Sequence, residues 1–103
     1  MIIKLSNEDR IVLEETIRNL EFKLYAMEMS GFHLKVRYEG GFAYPMLDVY
    51  NDIHVMKNML GNVLVGKDIE DVRFFKYMTM EATHVVDREG SKDLLIRLSN
   101  WDD

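Results

Sequence analysis

The sequence predicts an α+β fold: a two-layer sandwich in which a long N-terminal helix and a shorter second helix lie on an antiparallel sheet of hairpins, in the order βαββαββ. Three observations predict it. Phe32-His33-Leu34-Lys35-Val36-Arg37-Tyr38 alternates apolar and polar residues strictly, the period of a half-buried strand. Gly40-Gly41 follows almost at once, and a two-residue hairpin loop needs the positive φ that glycine tolerates. Upstream, the residues after Ser6 carry apolar side chains at helical spacing for about 23 residues, or about 35 Å of helix.

Taken in order, Ile2 to Leu5 reads as a short first strand. Ser6 is a natural N-cap, and Glu8 and Asp9 place acids in the first turn, where the helix dipole favours them. The helix should run to about Met29 and stop at Ser30-Gly31, because glycine takes the left-handed C-cap conformation. Leu13, Ile17, Leu20, Leu24 and Met27 form one stripe facing the sheet. Ile11, Phe22, Tyr25, Ala26 and Met29 gather on nearly the opposite side.

The strand Phe32 to Tyr38 turns at Gly40-Gly41 and returns as Phe42 to Tyr50. That register sets Phe32, Leu34, Val36 and Tyr38 against Val49, Leu47, Pro45 and Ala43 on the core side. The other face pairs His33 with Asp48, Lys35 with Met46 and Arg37 with Tyr44. Asn51 or Asp52 would cap a second helix over Ile53 to Val65, weakened by Gly61 and ended by Gly66. Val72 to Asp87, rich in aromatic and β-branched residues, reads as a bulged strand or a helical start near Ile69 to Tyr77. Arg88-Glu89-Gly90 would form a three-residue hairpin loop before a last strand, Leu94 to Leu98. This order is that of a ferredoxin-like sandwich with an added C-terminal strand.

The chain has 103 residues, enough for a single α+β domain spanning 1–103. It has no cysteine, so thiolate metal sites and disulfides are unavailable. A start without a long apolar run points to a cytoplasmic protein rather than a membrane one. The net charge of −5 disfavours general nucleic-acid binding, which needs clustered Lys and Arg.

Three functional readings follow. The outward sheet face would carry Phe42, Tyr44 and Met46, with Tyr50 nearby, rimmed by Lys35 and Arg37. Exposed apolar rows of this kind mark contacts, so these six residues are the expected partner-binding site. The expected function is therefore a non-enzymatic protein-binding module, an inhibitor, immunity-type protein or regulator that needs no cofactor. The second apolar side of the first helix, with Ile11, Phe22, Tyr25 and Met29, is expected to be covered by a second copy in a homodimer.

The second reading is a small metal-dependent or general-base hydrolase built on His33, Asp48, Asp52 and His54, since carboxylate beside imidazole supplies both a base and N/O ligands. The third starts from Gly41-Phe42-Ala43-Tyr44, which resembles the central part of the RNA-recognition-motif signature. Gly40 stands where that family has a basic residue, and Pro45 where it has an aliphatic one. The resemblance covers four residues and implies single-stranded RNA stacked on the same sheet face.

Overall fold

A computed structural model of the protein describes residues 1–31 and 49–102. Over these residues the chain is helical, with α1 (Asn7–Ser30), α2 (Val49–Leu64), α3 (Val72–Ala82) and α4 (Glu89–Ser99). No described residue lies in a strand. The α+β sandwich is thereby corrected to a bundle-like arrangement of helices. The expected hairpin strand Phe32 to Tyr38, and the return strand Phe42 to Tyr50 as far as Asp48, fall outside the described residues.

The first helix forms for the reasons its sequence suggests. The Ser6 hydroxyl accepts the Asp9 amide at 3.1 Å, and Gly31 closes the helix at φ 71°, its N–H donating to the Glu28 carbonyl. Leu13, Leu20 and Leu24 are buried, with Ile17 and Met27 packed beside them. That stripe meets helices rather than a sheet. Thr16 joins it, wholly buried against α4.

The second helix begins at Val49, four residues before the expected start at Ile53, so Val49 and Tyr50 are helical rather than the end of a strand. Ile53, Met56, Leu60 and Val63 recur at three- and four-residue spacing and are buried. Gly66 follows at φ 77° and ends the helix.

The last two expected strands are also helices. In α3, Asp71 caps the start by accepting the Phe74 amide at 3.0 Å, and the buried residues Phe75, Met78, Thr79 and Ala82 fall at i, i+3, i+4 and i+7. That period decides the element over the strand preference of its aromatic residues. In α4, Ser91, Leu94, Leu95 and Leu98 follow the same rule. Glu89 and Gly90, expected in a hairpin loop, form its first turn, and Gly90 has no positive φ. Ile2 to Leu5 forms no strand, although Ile3 is buried and the Ile69 amide donates to the Met1 carbonyl at 2.7 Å.

Helix α1 packs on α2 and α4, and α3 packs on the same two, so the four helices close a ring around one core. Neighbours of α1 run antiparallel to it. Arg10 near its start donates to the Leu64 carbonyl at the end of α2, and Glu28 near its end accepts the hydroxyl of Tyr50. On the other side Arg97 reaches back to Asp9, while Arg88 meets Glu15 at 3.1 Å. Between α2 and α3, Met56, Met59, Leu60, Met78, Thr79 and Ala82 leave no cavity that would hold a water.

Candidate interaction face on the first helix

With α2 and α4 on either side and Leu13, Leu20 and Leu24 in the core, the remaining side of α1 faces solvent. Its C-terminal half is apolar there. Phe22, Tyr25 and Met29 are 67%, 58% and 70% exposed, and Ala26 between them is exposed too. These positions are i, i+3, i+4 and i+7, so the side chains form one continuous patch over two turns. Ile11 is also exposed but lies about 16 Å earlier along the axis, and Glu14, Glu15 and Arg18 intervene. The expected four-residue dimer row is therefore a patch of Phe22, Tyr25 and Met29 with Ile11 detached.

The two edges of the patch differ electrostatically. On one edge Glu14, Glu21 and Glu28 recur every seven residues, about 10 Å apart, drifting about 20° around the helix with each step. Among the described residues Glu14 is engaged by Arg18 at 3.9 Å, with both side chains well exposed. Glu28 accepts the Tyr50 hydroxyl, which leaves its charge in place. On the other edge the charges are matched: Glu15 with Arg88 at 3.1 Å, and Lys23 with Asp87 at 3.2 Å. The Lys23 ammonium, by its hydrogen bond first and its charge second, holds the Asp87 carboxyl below the usual carboxylate range. An open recess of about 330 Å³ beside this edge is lined by Glu15, Arg18, Asn19 and Arg88, within which Glu15 and Arg88 pair.

Of the six residues expected to bind a partner, Lys35, Arg37, Phe42, Tyr44 and Met46 lie outside the described residues. Tyr50 sits in the first turn of α2, half-buried, bonded to Glu28 and packed edge-on against His54 with ring centroids 4.7 Å apart. It therefore does not belong to an exposed sheet face. Of the hydrolase set, His33 and Asp48 lie outside the described residues. Asp52 and His54 are two apart on α2, a spacing that turns their side chains about 200° from one another. Among the described residues no group of three or more His, Asp or Glu side chains could hold a metal ion. His84 is exposed in the turn after α3, and Arg97 pairs with Asp9.

The acidic row was the feature sequence reasoning missed. Its signal was present, as acids at a seven-residue interval within a helix whose bounds were already legible. Comparison with family models, with curated proteins and with solved structures finds no match. No helix among the described residues is long and apolar enough to cross a membrane.

Proposed function

We propose that the protein is a non-enzymatic protein-binding module of the cytoplasm that acts by occupying its partner through the outer face of α1. One observation carries this reading. Phe22, Tyr25 and Met29 expose most of their surface on a helix whose opposite side is packed into the core, so the fold already satisfies α1 without them. Contiguous exposed aromatic and Met side chains are costly to leave in water and are enriched where proteins bind one another. Tyrosine adds a hydroxyl that can stay wet at the rim of a contact.

The test replaces Phe22, Tyr25 and Met29 together with serine in the full chain. Each substitution should shift stability by no more than about 0.5 kcal/mol, since surface side chains away from caps and buried networks contribute little. Immobilised wild-type protein should retain a specific protein from lysate of the source cell, and the triple variant should not. Equal retention by both, or a fall in melting temperature like that of a core substitution, contradicts the reading.

A further inference from the structure

We infer that the occupant of this face is a basic amphipathic helix of another protein, with lysine or arginine repeated every seven residues alongside its apolar seam. The inference rests on the proposed docking role of α1 and adds the chemistry of the partner. Phe22, Tyr25 and Met29 are spaced as the seam positions of a helix pair, where apolar residues alternate at three and four residues. Glu21 and Glu28 flank that seam on one side only, and Glu14 continues the row beyond its N-terminal end. In paired helices the residues flanking the seam choose the partner by charge, and acids at this interval match cations at the same interval.

The row is available to a partner. Glu14 and Arg18 are loosely placed at 3.9 Å, and the hydroxyl on Glu28 donates no charge. Arg18 closes the N-terminal end of the patch, so the seam extends from Phe22 towards Met29. Anionic lipid and nucleic acid are repelled by the same row, in keeping with the net charge of −5.

A second copy of the chain fits less well. A two-fold axis across antiparallel α1 helices sets the acidic row of one copy against the acidic row of the other. A two-fold axis along parallel helices sets it against Asn19 and Ala26. The cations neighbouring that edge, Arg88 and Lys23, are already paired with Glu15 and Asp87. A second copy could offer the row only Arg18, held by Glu14 at 3.9 Å, among the described residues of this face, whereas a basic helix brings a cation to every acid.

The test uses the full chain and two synthetic helical peptides of three heptads. Both carry leucine along the seam; one has lysine at a seam-flanking position of each heptad, the other glutamate there. The lysine peptide should bind about tenfold tighter, the sum of three rim ion pairs of a few tenths of a kcal/mol each, and should lose that advantage in high salt. Glu14→Lys with Glu21→Lys should invert the preference. Phe22→Ser with Met29→Ser should abolish binding of both peptides.

Equal binding of the two peptides, or a preference that Glu14→Lys with Glu21→Lys leaves unchanged, overturns the inference while the apolar docking face stands. Peptide binding that survives Phe22→Ser with Met29→Ser overturns the docking face as well. Sedimentation showing a stable dimer that is split by Phe22→Glu, with no peptide bound, assigns the face to a second copy and overturns the inference.

Discussion

Thr16 of α1 and Ser91 of α4 place their hydroxyl oxygens 2.7 Å apart, both out of contact with solvent. The Thr16 oxygen also lies 2.8 Å from the Val12 carbonyl. A hydroxyl has one proton, so Thr16 donates to Val12 and accepts from Ser91. Two small polar side chains let the helices approach closely, and the bond between them satisfies what they bury. This contact ties α1 to α4 midway between the ion pairs Asp9–Arg97 and Lys23–Asp87.

Thr16→Val should destabilise the protein by about 1–3 kcal/mol, because the Ser91 hydroxyl loses its buried acceptor. The double variant Thr16→Val with Ser91→Ala should cost less than the sum of the two single changes. Denaturant unfolding of all four proteins measures the coupling, and strict additivity would show that the hydroxyls do not meet.

Leu20 and Phe22 stand two residues apart on α1 and face opposite ways. Leu20→Ala should cost about 2–5 kcal/mol, the range for emptying a packed leucine site, and Phe22→Ala no more than about 0.5. Urea unfolding of the two variants tests the orientation of α1 directly, and comparable losses would mean that its outer face is core.

Two glycines should respond with opposite sign to the same substitution. Gly31 holds φ 71° at the end of α1, and an added Cβ would meet nothing within 4 Å, so Gly31→Ala should cost about 1 kcal/mol from backbone strain alone. Gly61 lies inside α2 with the same open space, and Gly61→Ala should stabilise by about 0.4–1 kcal/mol. Thermal unfolding reads both signs.

Arg97 donates to both carboxylate oxygens of Asp9, at 2.9 and 2.8 Å, joining the last turn of α4 to the first turn of α1. The guanidinium hydrogen bonds, with its charge adding to them, hold the Asp9 carboxyl below the usual range against the opposing effect of burial. A lowered carboxyl binds its proton less readily folded than unfolded. Its stabilisation is therefore complete above the unfolded value and is lost as pH falls through the folded one. Melting temperature should decline below about pH 4, and Asp9→Asn should flatten part of that decline, by at most about 1 kcal/mol for a pair this exposed. An unchanged acid limb in Asp9→Asn would remove Asp9 from the account.

The helical half of the fold was legible where end signals and period agree. Ser6, Gly31 and the stripe from Leu13 to Met27 define α1 within a residue or two, and Gly66 marks the end of α2. The α3 and α4 helices were misread because Phe74, Phe75, Tyr77, Val85 and Val86 carry strand preference, and because Arg88-Glu89-Gly90 resembles a loop. Propensity is weaker than burial period: Phe75, Met78, Thr79 and Ala82 are spaced for a helix, and Asp71 caps it. The exposed side of α1 was legible as a second apolar stripe. What covers it was not, since a stripe records only that a surface is apolar. The one-sided acidic edge emerges when the packing shows which charges α2 and α4 already match.

The central claim is that the outer face of α1 is a docking surface, and site-specific photocrosslinking in the source cell tests it most directly. A photoreactive residue in place of Phe22 should join the chain to another protein, and the adduct should vanish when Tyr25 and Met29 are changed to serine. The same residue in place of Asn62, exposed on α2, should give no such adduct. Equal crosslinking from the two positions, or none from position 22, would contradict the account.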